Sequence, residues 1–502
     1  MSHVEIAPRP IAPESEDTGG CSCGDSCSDA CSCSGPCSRE SEPFSRKARK
    51  KAEPFVSTTN ACKLCKPLGA TIVFKGIEGG VPFLHGSQGC ATYMRRYIIS
   101  HFREPMDIAS SSLGEKQAIH GGEANLKKGL LTVMDKYGAG LIGVATTCLT
   151  ETIGDDVTGI LRSFRREFSD LDLAPVVQVA TPSYSGTHME GFTAAVRAVV
   201  DQMAEPGLKT DAVNCLPGFV SCEDIRQLRD IFSNFGLPAS ILPDYSDTLD
   251  GPAVEDYEKI PSGGTPLAAL KAMGGAPATF EFGRTLPGPA EAGTAGGLLA
   301  SRFGVPLYRL GLPIGLRETD EFFKALEKVS CRPTPRRHVL ERGRLLDAFV
   351  DGHKYISRKR CVIYGEEDLI VGLASFMAEI GVVPVLVAGG GRSGRLKDAI
   401  RAACDGLLPE MPEVAEGVDF FDIADRAREL APDFFLGHSK GYRLARELGA
   451  PLVRVGFPIH DRFGGHRTRH LCYQGAQDLL DRVVNAMIEK KQADSDIGYG
   501  YI

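Results

Sequence analysis

The sequence predicts an α/β protein of three Rossmann-like domains with parallel sheets, preceded by a disordered tail. Three observations carry that prediction. From about residue 60 onward, short apolar runs alternate with segments of amphipathic helical periodicity; the alternation returns in three stretches; and 502 residues, 43% of them hydrophobic, suffice for several cores. Strands that alternate with helices are joined by βαβ crossovers, which make neighbouring strands parallel.

Residues 1–59 stand apart. They are rich in Ser, Gly, Pro and Cys, carry the basic run Arg46-Lys47-Ala48-Arg49-Lys50-Lys51, and show almost no apolar periodicity. Such a segment cannot bury enough surface to offset its chain entropy, and the basic run reads as a solvated linker. The first domain, 60–205, has a helix over 124–137, with Leu126, Leu130 and Met134 at helical spacing and Glu123 four residues before Lys127. Leu141-Ile142-Gly143-Val144-Ala145 reads as a buried strand. The Thr146-Thr147-Cys148 loop then sets Cys148 just beyond the carboxyl end of a parallel strand, where open α/β sheets hold ligands. The second domain, 206–320, runs from a strand at 212–216 through a helix near 222–235 to a strand at 239–242. The third, 321–502, repeats the rhythm with strands at 361–364 and 384–387 around a helix near 367–380, then strands at 434–436 and 452–455.

Fifty-seven basic against sixty-four acidic side chains leave a net charge of −7, so a phosphate-neutralising surface is not the default reading. The amino terminus lacks an apolar signal-peptide core, and no stretch approaches the ~20 apolar residues that span a bilayer. The expectation is a cytoplasmic protein with neither nucleic acid nor membrane as partner.

Cysteine departs from the ordinary. Six of the sixteen, Cys21, Cys23, Cys27, Cys31, Cys33 and Cys37, fall in one tract whose C-x-C and C-x-x-x-C spacings suit soft metals. In a reducing compartment such thiols are free or metal-bound rather than disulfide-linked. Three others sit in turn-like settings: Cys65 in Cys62-Lys63-Leu64-Cys65-Lys66-Pro67, Cys90 at the end of His85-Gly86-Ser87-Gln88-Gly89-Cys90, and Cys148 in Thr146-Thr147-Cys148-Leu149-Thr150-Glu151. Thiolates at loop tips can converge on a metal, with nearby N–H groups bonding to cluster sulfurs. Cys62 and Cys65 form a C-x-x-C, but no second pair completes a zinc site. Cys215, Cys222, Cys331, Cys361, Cys404 and Cys472 read as structural, as do His85 and His101, while Asp155-Asp156 reads as a helix cap. Gly389-Gly390-Gly391-Arg392-Ser393-Gly394 follows a strand but is neither a G-x-G-x-x-G nor a Walker A pattern, so no nucleotide is expected.

Several strings closely resemble the β-type subunits of the nitrogenase component 1 family. They are His85–Cys90, Tyr97-Ile98-Ile99-Ser100-His101-Phe102-Arg103-Glu104-Pro105, Thr146–Asp156, Thr181-Pro182-Ser183-Tyr184, Leu216-Pro217-Gly218-Phe219-Val220, Leu249-Asp250-Gly251 and Gly456-Phe457-Pro458-Ile459-His460-Asp461-Arg462. The resemblance runs from about residue 60 to the end and leaves out the cysteine tract. It implies the three-domain component 1 fold, an α₂β₂ heterotetramer with an α-type subunit, and an ATP-driven iron protein that docks transiently and delivers electrons. The large cofactor is not ligated by a β-type chain, and Phe457-Pro458 stands here where the α-type chain carries His-Ser.

Two branches of the family share these strings. In the catalytic β subunit (NifK), the cysteines matching Cys65, Cys90 and Cys148 hold the P-cluster at the subunit interface, with a serine matching Ser183 as a further ligand. In the scaffold branch (NifN, paired with NifE), on which the iron–molybdenum cofactor is matured, many chains keep only the match to Cys90 and use it for a [4Fe–4S] cluster shared with the partner. Retention of all four residue types favours the first branch. His120, where catalytic β chains usually carry Phe on the iron-protein docking face, favours the second. So do Pro277-Ala278-Thr279-Phe280-Glu281-Phe282-Gly283 and the short ending Ser495-Asp496-Ile497-Gly498-Tyr499-Gly500-Tyr501. The resemblance is read here as a scaffold subunit whose interfacial Fe–S cluster relays electrons, with the catalytic β subunit as the alternative. Cys65 and Cys148 are then either further ligands or buried thiols. Tyr93, Arg95, Arg96 and Tyr97 follow Cys90 on an expected helix, where the cations either shield cluster charge or simply face an interface.

Overall fold

A computed structural model describes residues 61–498 apart from 257 and 289–292, so the six-cysteine tract and the tail expected at 1–59 lie outside the described residues. Three sheets, every paired strand parallel, come from successive stretches of chain. The first has the order β2-β1-β3-β4, from β1 (Gly80–His85), β2 (Ala109–Ser110), β3 (Leu141–Thr146) and β4 (Val176–Val179). The second, β6-β5-β7-β8, comprises β5 (Val213–Leu216), β6 (Ala239–Ile241), β7 (Thr279–Phe282) and β8 (Leu307–Leu310). The third, β11-β10-β9-β12-β13, comprises β9 (Arg360–Gly365), β10 (Val383–Gly389), β11 (Glu413–Glu416), β12 (Phe434–Gly437) and β13 (Leu452–Arg454).

The central strands of the first sheet are largely apolar because both faces are covered. Every residue of β1 and β3 is buried, as a parallel sheet between helices requires. Seven helices belong to the stretch that carries the first sheet: α1 (Lys66–Lys75), α2 (Gln88–Phe102), α3 (Glu115–His120), α4 (Glu123–Tyr137), α5 (Cys148–Ile153), α6 (Val157–Glu167) and α7 (His188–Met203). The α4 helix buries Leu126, Leu130 and Val133, one turn apart, against the sheet, and Gly138 in the left-handed region ends it.

Helix α1 is buried nearly all round, and it crosses α7 at glycines. A Cβ on Gly69 would lie 1.8 Å from the His188 carbonyl oxygen, and one on Gly191 would lie 1.9 Å from that of Lys66. Nothing larger than hydrogen fits, so the two backbones touch. Among the described residues no helix is long and apolar enough to cross a membrane.

Candidate functional site

Strand order places the site. In the first sheet the order reverses between β1 and β3, and their carboxyl ends sit side by side, with His85 in register with Thr146. This is the switch point at which an open α/β sheet leaves a crevice. Cys90 lies in the first turn of α2, which follows β1, and Cys148 is the first residue of α5, which follows β3. Both loops are tied to the strand ends: the Thr147 N–H donates to the His85 carbonyl at 3.1 Å, and Thr150 Oγ donates to the same oxygen at 2.9 Å.

The next strand brings the third element. After β4, Thr181 Oγ donates to the Thr146 carbonyl at 2.6 Å, holding the 181–185 segment against the end of β3. There the Ser183 N–H donates to Cys148 Sγ at 3.2 Å. Ser183 Oγ in turn accepts the Lys66 N–H at 3.3 Å, which satisfies the first amide of α1. Cys65 is the residue that caps α1, in extended conformation, and Pro67 presets the first helical turn behind it. Cys65, Cys148 and Ser183 are thereby joined in one patch. Ser183 and Tyr93 both hydrogen-bond the Cys65 side chain, and the Cys90 and Cys148 thiols lie close enough to be felt there electrostatically. Burial pushes the Cys65 thiol up, as do the two neighbouring thiols, with the Ser183 and Tyr93 hydrogen bonds opposing.

All four donors are half-buried, and all three cysteines sit at helix amino ends. The Ser87 hydroxyl also reaches Cys90 Sγ at 3.6 Å. Among the described residues, no three His, Cys, Asp or Glu side chains are set to hold a single metal ion. Three half-buried thiols and a serine with hydrogen-bond donors nearby are instead a donor set of the kind that an iron–sulfur group takes.

Neighbouring residues separate from this set. Cys62 is buried in the core of the third sheet, 3.8 Å from His438 Nε2, and burial, with Glu366, pushes its thiol up to about 12. The C-x-x-C is therefore one buried thiol and one at the site, not a pair. His85 is buried between Ser111 Oγ at 3.0 Å and Asp155 at 3.2 Å. His101 accepts the Ile459 N–H at 2.9 Å, and burial and His466 push it down to about 3. Both are structural. Of the aspartate pair, only Asp156 caps α6, through the Gly159 N–H at 2.9 Å. Asp155 faces the other way and accepts the Gly122 N–H at the start of α4. Arg95 and Arg96 are exposed on α2, while Tyr93 meets Cys65. Cys331 is exposed in a left-handed turn, unlike the other five cysteines read as structural, which are buried. The glycine loop after β10 has its amides committed internally: Ser393 N–H to Glu367, and those of Gly394 and Leu396 to Glu416.

Three residues beside the site carry no local signal in the sequence. His188 Nδ1 accepts the Leu64 N–H at 3.3 Å, so its proton resides on Nε2 and points to Glu366 Oε1 at 3.2 Å. Lys440 Nζ donates to the carbonyls of Ala61 and Lys63, both at 3.1 Å. The segment that carries Cys65 is thus anchored by residues up to 379 positions away. A cavity of about 640 Å³, lined by Lys63, His188, Glu366, Glu367 and Arg392 among others, excludes all four donors.

A family model described as nitrogenase component 1 type oxidoreductase matches residues 65–488. The molybdenum–iron protein beta chain of Clostridium pasteurianum nitrogenase is 33% identical over 432 residues, covering 86% of this chain and 93% of that one. The vanadium–iron protein beta chain of Trichormus variabilis is also 33% identical, over 449 residues, covering 86% and 94%. A solved structure described as nitrogenase Cp1 at pH 6.5 superimposes with a TM-score of 0.85 at 31% identity, covering 90% of this chain and 98% of that chain.

Proposed function

The chain belongs to the nitrogenase component 1 type oxidoreductases, and from that premise we propose that it is a β-type subunit holding an interfacial iron–sulfur cluster through Cys65, Cys90 and Cys148, with Ser183 beside them. The observation that carries this reading is the joining of Cys65, Cys148 and Ser183, drawn from three separate segments, around the switch point of the first sheet. When bound, the cluster supplies reversible one-electron chemistry. The protein holds its ligand loops rigid, aims N–H and hydroxyl groups at the sulfurs and leaves one side for the partner. With ligands split between chains, cluster loading and assembly with an α-type subunit are linked, because a ligand that binds only the assembled state stabilises it. An iron protein is the reductant in this reading, and the stretches 60–205, 206–320 and 321–502 act as three domains, in the cytoplasm.

Four assembled donors, rather than Cys90 alone, favour a P-cluster in a catalytic β subunit. The scaffold reading, with a shared [4Fe–4S] cluster, is favoured by α3, which has no buried residue and exposes His120 with Ile119 at 80%. Iron analysis and EPR of the anaerobically purified complex distinguish them. A high-iron, diamagnetic reduced state that becomes paramagnetic on oxidation is expected for the first, and a cubane signal on reduction for the second. Either signal must vanish in Cys90→Ala. A complex with no iron refutes both.

A further inference from the structure

The cysteine edge has a cation beside it that none of the family strings contains. Lys440 follows the carboxyl end of β12 and projects under the loop that carries Cys65, its ammonium held by the Ala61 and Lys63 carbonyls. The ring of Tyr97 lies 5.7 Å from Nζ, and Tyr97 packs on Tyr93, the tyrosine that meets Cys65. Among the described residues Lys440 makes no ion pair with a carboxylate. Glu366 acts on it from beyond ion-pair distance; its Oε1 meets His188, while its Oε2 has no hydrogen-bond partner. Cys62, also nearby, is held in its neutral thiol form at neutral pH by burial. The Glu366 carboxylate therefore offsets part of the Lys440 charge from within the core, and besides it only the two cysteines act on the ammonium as negative groups, Cys65 being the one at the site.

A partly buried cation held by two neutral carbonyls is costly unless a negative group offsets it. An anionic cluster on Cys65 would do so. We propose that Lys440 is a positioning and potential-setting residue, whose ammonium is the counter-charge for an iron–sulfur cluster bound through Cys65 and stabilises that cluster's reduced form. This rests on the cluster reading above. Reduction adds one electron, supplied by dithionite in the assay and by a protein reductant in the assembly. No bond forms or breaks, and the added negative charge is what the ammonium favours. Unit charges roughly 10 Å apart at an effective dielectric near 20 interact strongly enough to shift such an equilibrium about tenfold.

The test is an EPR-monitored redox titration of the complex carrying Lys440→Gln, which keeps a donor for the two carbonyls but drops the charge, beside Lys440→Arg, which keeps both. Lys440→Gln is expected to disfavour the reduced cluster about tenfold, a shift of 59 mV to more negative potential for one electron, with Lys440→Arg within threefold of wild type. Full iron with an unchanged potential in Lys440→Gln overturns the proposal while leaving the cluster reading intact. If Lys440→Gln loses iron, thermal melting of the cluster-free chain decides. Melting at or above wild type supports the counter-charge, whereas a matching loss of stability without the cluster shows a loop clamp only and overturns it. Absence of iron from the wild-type complex refutes the cluster reading and this inference together.

Discussion

Replacing Gly69 by Ala adds one methyl group at the crossing of α1 and α7, and the site should not survive it. The new Cβ would meet the His188 carbonyl oxygen at 1.8 Å and the Phe192 amide nitrogen at 2.5 Å. These are backbone atoms, so no rotamer change relieves the clash. Ordinary contact begins near 3.4 Å, which requires the helices to part by about 1.6 Å, the difference between 3.4 and 1.8. A parting of that size lengthens the Leu64 N–H to His188 bond and the Lys66 N–H to Ser183 bond, now both 3.3 Å, beyond hydrogen-bonding range. Overpacking costs about 1–3 kcal/mol, and each lost bond adds about 1 kcal/mol, for a total near 4 kcal/mol. At roughly 2–4 °C per kcal/mol for a cooperative unit of 150–250 residues, melting should fall by about 8–16 °C. Because α1 begins at Cys65 and the segment before α7 carries Ser183, the same displacement pulls two of the four donors apart and iron content should drop. The assay is thermal melting and iron per complex, with Gly343→Ala as control. That glycine has no atom within 4 Å of its ideal Cβ and sits in the helix Arg336–Ile356. Alanine there should be neutral or stabilising by about 1 kcal/mol. Wild-type melting and full iron in Gly69→Ala would refute the backbone contact on which the reasoning stands.

Two further outcomes follow from burial. In cluster-free protein at pH 8, iodoacetamide should label exposed Cys331 and half-buried Cys65, Cys90 and Cys148 well before the buried Cys62 and Cys404, whose thiols burial pushes up to about 12 and about 11. Iron loading should then protect the three site cysteines but not Cys331, as peptide mass spectrometry would read; equal protection of all four counts against the site. Separately, burial raises the carboxyl of Glu367 to about 7, so the folded protein holds that proton more tightly than the unfolded chain. Its contribution to stability therefore falls as pH rises from about 4.5 to 7. Glu367→Gln should melt like wild type at pH 5 and higher than wild type at pH 8, and a lower melting point at pH 8 would show that its charged form is the stabilising one.

The alternation that marks a parallel α/β fold is legible in the sequence because its signals are local. Leu126 and Leu130 share a helix face, and β3, β5, β9, β12 and β13 announce themselves as apolar runs. The strands that carry no such signal, β1 with Pro82, β7 with Glu281 and β11 with two glutamates, owe their place to pairing rather than propensity. The same local reading places Cys148 at a strand end and Cys90 in a turn, and the strings around them point to the family. Tertiary structure decided the rest. It split the C-x-x-C by sinking Cys62 into the third sheet's core, turned Asp155 away from the helix it precedes, and set His188, Glu366 and Lys440 around the segment that bears Cys65. Periodicity reaches only a few residues along the chain. Which side chain stands beside residue 65 is fixed by the order of strands and the closeness of two helices, and those depend on contacts across hundreds of residues.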